Sequence, residues 1–458
     1  MNSRAPVDTT VVGVLAGRAV ELRAHPLDPP LEAAARRAFA DWLGVTLGGS
    51  TGVPTSALVA GLEPGDGPSR IVGRREKAPA PVAALVNGTS AHTLELDDIY
   101  APGLFHPGAP IIAAALAAGD QFGVSTGTLW RAIMTGYEIG CRVAADLGPA
   151  HYVRWHTTGT AGAIGAAAAV AEVRRADAGR FAHALSLAAT MTGGLQQTFR
   201  SDAMGKPLHA GAAAQAGVVA AAAAMGGVTG AADVLEGSAG LAAATGSATS
   251  WTHSRAGLAR PFAVEAVTVK PYACCGHAFA AIDAALELRS GGVRSEDVGR
   301  LEVQTYSTAL AVAGIARPRT TAERRFSIPH LVASALATGR GGTASDGTAN
   351  QPPVQQAVQQ GVQRLADCVQ LTVDPVFDER FPRHRGARVT AVTHDGARRT
   401  VEVPDRSGSP ENPLTAAQVE RKFLAACAPL VGASGPDLLN RLTRCGGHLP
   451  VRALELGT

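Results

Sequence analysis

The sequence predicts a mainly α-helical fold: a large all-helical domain with a smaller α/β lid domain inserted into it. Three observations predict this. Apolar positions at helical spacing recur through roughly the first 260 residues, whereas strand-like alternation is confined to the stretch beyond Pro261. The composition is rich in Ala and Gly, with only 4% aromatic residues, which favours helices approaching closely over small side chains. At 458 residues the chain exceeds what one core usually supports. Two domains are therefore expected, 1–262 completed by 405–458, and 263–404 between them.

From Pro30 to Leu47 the apolar positions Leu31, Ala34, Ala35, Phe39, Trp42, Leu43 and Val45 share one helix face, and Gly48-Gly49 reads as the stop. A Gly/Pro-rich stretch, Gly61–Pro68, leads to a short extended piece at Ile71–Gly73 and a helix over Pro79–Leu96. Helices follow at Ala109–Phe122, Gly127–Leu147, Thr160–Glu172, Ala178–Thr190, Leu208–Met225 and Ala231–Glu236. Beyond Pro261, Val264–Val269, Leu301–Thr305, Val369–Val373, Ala387–Thr393 and Arg399–Val403 read as strands and Ala278–Arg289 as a helix. Asp395-Gly396 signals a hairpin. Thr415 reads as a cap before a last helix, Ala416–Cys427.

Charge and composition exclude several classes. Lys plus Arg total 41 against 38 for Asp plus Glu, so a net charge of +3 gives no nucleic-acid surface. Met1–Val20 lacks a continuous apolar h-region, and the longest apolar runs are Ala-rich and interrupted, so the expectation is a cytoplasmic protein with no membrane partner. Six cysteines without a C-x-x-C pair signal neither a zinc ribbon nor an iron–sulfur cluster, and reduced thiols are the default.

Five clusters carry candidate chemistry, each with an ordinary alternative. His92, Glu95, Asp97, Asp98 and His106 are an acid/base set, a metal site or a charged helix end. His156 and Thr157 precede a small-residue helix whose N–H groups favour anions, or Thr158 is simply an N-cap. Lys206 and His209 flank Pro207 at another helix start, where a lysine anchors a carboxylate or faces water. Lys270, Cys275 and His277 offer a buried proton-transfer group or packing residues. Arg324, Arg325, Ser327 and His330 combine cations, a hydroxyl and an imidazole, for carboxylate grip or solvent contact.

Together these motifs resemble the MmgE/PrpD family, which includes 2-methylcitrate dehydratase, cis-aconitate decarboxylase and iminodisuccinate epimerase. The resemblance rests on N-G-T-S-A-H-T-L-E-L-D-D at 87–98, H-P-G at 106–108, W-H-T-T-G-T-A-G at 155–162 and K-P-L-H-A-G at 206–211, then K-P-Y-A-C-C-G-H at 270–277 and R-F-S-I-P-H at 325–330. It implies the same helical domain and α/β lid, a homodimer, and a metal-independent active site. It carries over Asp97, Asp98, His106, His156, Lys206, Lys270 and His330.

Joined to this resemblance, the clusters give His106, His156, Lys206, Lys270 and His277 as the candidate acid–base groups. The candidate substrate-binding groups are Glu95, Asp97, Asp98, Thr157, Cys275, Arg325, Ser327 and His330. The expected substrate is a small polycarboxylate, whose charges need cationic anchors and whose α-proton needs a base. The leading expectation is a lyase dehydrating a β-hydroxy acid of the 2-methylcitrate type. The alternatives are an epimerase of an iminodisuccinate-like acid, a decarboxylase of the cis-aconitate type, and a non-catalytic helical binding protein. Where the family often reads D-F-D-D-T this chain has Glu95-Leu96-Asp97-Asp98-Ile99, and a frequent family histidine corresponds to Phe279.

Overall fold

The computed structural model describes residues 9–200, 203–341 and 353–456. Residues 1–8, part of the stretch read for a targeting segment, lie outside the described residues. The chain divides into two units, 1–268 with 416–458, and 269–415. The boundaries fall six and eleven residues beyond those expected (268 against 262, 415 against 404), for a local reason. Thr268 exchanges backbone hydrogen bonds with Ile99, tying 263–268 to the first unit, whereas Val269 donates to Gly408 and Gly408 to Asn412 within the second.

The first unit begins with α1 (Val11–Ala24), α2 (Pro29–Gly49) and α3 (Val53–Leu62). Asp28 starts α2, its carboxylate accepting from the Leu31 N–H at 2.9 Å, with Pro29 in the first turn. A two-stranded ribbon, β1 (Ser69–Arg70) and β2 (Lys77–Ala78), flanks Ile71–Gly73, where a short extended piece was expected and the chain instead turns. Then come α4 (Ala80–Thr93), α5 (Gly108–Phe122), α6 (Thr126–Tyr152), α7 (Thr157–Val173), α8 (Ala178–Thr190), α9 (Gly205–Met225) and the short α10 (Leu241–Thr245) and α11 (Thr252–Arg255).

Helices α4, α5, α7 and α9 pack on one another at the centre of this unit, and every residue of α7 is buried. Small residues make that possible. A Cβ on Gly88 would lie 2.9 Å from the Gly211 Cα, so α4 and α9 meet backbone to backbone. Helix α9 is the one described helix long and apolar enough to cross a bilayer, and here it packs against α4, α7 and α8.

The second unit contains α12 (Phe279–Ser290), β3 (Val298–Thr305), α13 (Ser307–Ala313), α14 (Thr321–Arg324), α15 (Ile328–Thr338), α16 (Pro353–Asp367), β4 (Val369–Val373), α17 (Pro375–Arg380), β5 (Ala387–Thr393) and β6 (Arg398–Val403). Its sheet has the order β4-β3-β5-β6; β3 and β4 run parallel and the other pairs antiparallel. Asp395-Gly396 turns the β5–β6 hairpin, with Gly396 at φ 85° and the Thr393 N–H donating to Ala397 O. Helices α12 and α15 pack on each other, α12 also against β5 and β6, burying Leu301, Val303, Val389 and Ala391 with Ile282, Ala285 and Leu331. Two last helices, α18 (Ala416–Val431) and α19 (Gly435–Arg444), pack on α2 in the first unit.

Several local expectations are refined or corrected. The stop expected at Gly48-Gly49 holds, since α2 ends at Gly49, but both glycines are still helical and let it run against the backbone carbonyls of Ala426 and Ser90, which a Cβ would strike. Ala231–Glu236 is a run of turns, closed by Gly237 N–H to Asp233 O, because six residues between glycines carry too few helical bonds. Val264–Val269 is not a strand: a 3-10 turn over Ala263–Glu265 consumes its start, and Thr268 alone pairs. Helix α7 begins at Thr157, so His156, not Thr158, occupies its N-cap position.

Candidate active site

The C-terminus of α4 builds the first wall of the site. The helix ends at Thr93, and Glu95 turns the chain through a left-handed conformation (φ 56°). The following residues, 96–99, are buried and lead to the Tyr100–Phe105 pairing, from which His106-Pro107 enters α5. This excursion places His92, Asp97 and His106 together. His92 Nδ1 lies 2.7 Å from Asp97 Oδ2, and His106 Nδ1 lies 2.9 Å from the Asp98 backbone oxygen and 3.5 Å from Asp97 Oδ2.

A carbonyl oxygen only accepts, so His106 carries a proton on Nδ1, and in the neutral form of the ring Nε2 is the basic nitrogen. Asp98 itself faces away from that ring: its carboxylate accepts from Gly108 N–H at 2.9 Å and from the Tyr137 hydroxyl at 2.7 Å. Burial pushes the Asp98 carboxyl up to about 7 despite both bonds.

His156 forms the second wall. It is fully buried at the start of α7, and its ring stacks on His92 with centroids 5.5 Å apart and stands 6.4 Å from His106. Its Nδ1 lies 3.3 Å from Nδ1 of His209, on α9, and Phe199 packs edge-on against both rings. Burial, reinforced by His92, Lys206, His106 and His209, holds His156 well below the usual imidazole range. His156 Nε2, Thr157 Oγ1 and His92 Nε2 are buried polar atoms with no hydrogen-bond partner among the described residues. Lys206 closes this side: its ammonium pairs with the Glu95 carboxylate and lies 5.4 Å from the Phe199 ring centre.

Of the candidate residues, Glu95, Asp97, Asp98, His106, His156, Thr157 and Lys206 therefore gather in the first unit. One group of three there, His92, Asp97 and His106, offers ligand atoms within 4.8 Å of one another. Its ring Nδ1 atoms are already bonded to Asp97 and to Asp98 O, so these residues form a hydrogen-bonded network.

The second unit carries the others. Lys270 is buried, with 1% of its surface exposed. His277 Nδ1 lies 2.7 Å from the Tyr306 hydroxyl, and Arg406 donates to Gly276 O at 3.0 Å. Burial, then Arg385 and Arg406, keep His277 well below the usual imidazole range; burial and Arg385 bring Arg406 down to about 9. The Cys275 N–H donates to Arg325 O. Arg325 Nε is buried and has no partner among the described residues. Ser327 caps α15, accepting from the His330 N–H and donating to Ile315 O.

The family model for the MmgE/PrpD N-terminal domain matches residues 13–254, and that for the MmgE/PrpD C-terminal domain matches 272–443. The chain belongs to the MmgE/PrpD family. No curated protein matches the chain. MmgE/PrpD proteins are generally enzymes acting on small acids, dehydratases among them. The C-terminal match runs across the unit boundary, since its last part includes α18, which packs on α2 of the first unit.

Sequence reasoning passed over Tyr137, inside α6, and Tyr306, Arg385 and Arg406, in connecting segments; none belongs to a local motif, and each gains its role through tertiary contact. His92 and His209 were visible within their motifs. Only their spacing in the fold ties them to His156.

Proposed function

We propose that this MmgE/PrpD protein is a lyase that dehydrates a small β-hydroxy polycarboxylate of the 2-methylcitrate type, using its own side chains as acid and base. The observation that carries the reading is the pairing of His106 with His156. One ring bonds a carbonyl through Nδ1–H, which makes Nε2 its basic nitrogen when neutral, and the other has a buried Nε2 with no partner among the described residues.

His106 removes the proton α to a carboxylate at Nε2, while the Asp98 carbonyl and nearby Asp97 favour the imidazolium that forms. His156 delivers a proton to the departing hydroxyl from Nε2. The Thr157 hydroxyl and the Lys206 ammonium serve as donors to substrate oxygens, with Glu95 holding Lys206 in place.

A second reading, epimerisation of an α-substituted dicarboxylate, draws on the same two rings, whose centres are 6.4 Å apart: two imidazoles exchange one α-proton. Incubation with 2-methylcitrate, iminodisuccinate and cis-aconitate in deuterated water separates the outcomes. Alkene absorbance with release of water supports the lyase. Deuterium incorporation without water loss supports the epimerase, carbon dioxide release a decarboxylase, and no change with any acid a binding protein.

A further inference from the structure

The contact between His156 and His209 has a chemical peculiarity. Two imidazoles meet Nδ1 to Nδ1 at 3.3 Å, and in neutral rings only one of these nitrogens carries a proton. The location of that proton determines what His156 presents on its other side. When His156 Nδ1 holds it, His156 Nε2 is bare and acts as a base; when His209 Nδ1 holds it, His156 carries its own proton on Nε2 and acts as an acid.

We propose that His209 is the proton relay of His156, setting its tautomer and connecting its buried ring to solvent. The proposal rests on His156 being the acid of the reading above. In the dehydration direction the His156 Nε2–H bond breaks as the proton passes to the leaving hydroxyl. The His209 Nδ1–H proton moves to His156 Nδ1, and solvent supplies a proton to Nε2 of His209. His156 is neutral before and after; only its tautomer changes. The pair resets when His106 passes the abstracted proton through the released water to His156 Nε2, the His156 Nδ1–H proton returns to His209 Nδ1, and His209 Nε2 gives its proton back to solvent.

The surroundings fit such a relay. His156 is fully buried, whereas His209 is partly exposed, so one ring has access to water and the other does not. A charged intermediate on His156 is disfavoured by burial and by the groups around it, His92, Lys206, His106 and His209. A relay that transfers a proton at each end avoids that intermediate. His209 is under the same pressure from burial, His92 and Lys206, so it too is neutral at rest. The His156 N–H donates to Gly194 O at 2.8 Å and Phe199 packs on both rings, which holds the Nδ1 atoms face to face.

The first test needs no substrate. In full-length protein labelled with 15N-histidine, His156 is expected to show ring nitrogens averaged between the two tautomers, and H209N to lock it in one. A single fixed His156 tautomer in the wild type overturns the relay, whatever reaction the protein catalyses. The second test uses turnover of 2-methylcitrate. H209N is expected to lower kcat by about 10- to 100-fold, within the usual reach of acid–base groups, with KM little changed. Free imidazole should restore part of the loss in H209A, and melting temperatures should show both variants folded. Wild-type kcat in H209N, or a loss confined to KM that imidazole does not rescue, rejects the relay. Absence of turnover in the wild type rejects the dehydratase reading and leaves the labelling result to decide on His209.

Discussion

Asp98→Asn isolates the most strongly perturbed carboxyl at the site. In the folded chain burial raises Asp98 to about 7, about three pH units above its ordinary value of 3.8. A raised folded-state value means that the native state binds the proton more tightly than the unfolded chain. Stability from this group is therefore full below pH 3.8 and is lost as pH rises to about 7. At about 1.4 kcal/mol per unit the loss is about 4 kcal/mol, undiscounted for screening because the side chain is buried. Asparagine mimics the protonated form: its oxygen still accepts from Gly108, and its amide faces the Tyr137 oxygen, which can accept. With an unfolding entropy of about 2 cal/mol/K per residue over a unit of roughly 300 residues, 4 kcal/mol corresponds to about 6 °C. The melting temperature of D98N minus that of the wild type, followed by scanning fluorimetry, should therefore rise by about 6 °C between pH 4 and pH 8. A difference that stays flat across that range refutes the argument that Asp98 titrates there.

Three further outcomes are expected. His106→Asn should lower turnover by about 10²- to 10⁴-fold without changing the melting temperature, and a variant within threefold of wild type removes His106 as the base. Lys422→Met strands the buried Asp41 carboxylate, which Lys422 meets at 2.6 Å, so it should cost about 3–5 kcal/mol; the double variant D41N/K422M should recover most of this in urea unfolding, and equal losses in both would refute the pairing argument. Binding of tricarballylate at pH 7 should take up protons, read by calorimetry in two buffers of different ionisation enthalpy, because an anion beside neutral imidazoles raises their proton affinity; net proton release contradicts the arrangement.

The helical unit was legible because burial imposes a period on the chain: the face Leu31, Ala34, Ala35, Phe39, Leu43 reappears buried in α2. The β5–β6 hairpin was legible because Asp395-Gly396 suits its turn. What failed or stayed hidden had a cause outside the local sequence. Gly48-Gly49 reads as a terminator and α2 does end there, but the close approach of the Ala426 carbonyl to Gly48, almost 380 residues away, is a second demand for glycine that local sequence does not show. Val264–Val269 has strand composition, but its single pairing partner is Ile99, and a lone bridge does not make a strand. The site divides similarly: His106 and His156 stand out in short motifs, whereas Tyr137 gains its role only because α6 brings its hydroxyl to Asp98.

A pocket for a polycarboxylate must reconcile two demands, since the cations that hold the acid also depress the proton affinity of the base. In the first unit the geometry separates them. The Lys206 charge is shared with Glu95, which tempers its effect on the rings while keeping the ammonium in place. His106 has an acceptor-only carbonyl at Nδ1, with Asp97 3.5 Å away favouring a charged ring. His156, without a carboxylate partner at Nδ1, meets another imidazole instead, and burial keeps it neutral. Two histidines in one pocket therefore differ in what stabilises a proton on them: a carboxylate for His106, a transfer partner for His156. On the proposed reading this asymmetry assigns their roles. The ring whose imidazolium is supported takes the proton, and the ring that cannot hold a charge must pass one on as it gives one up.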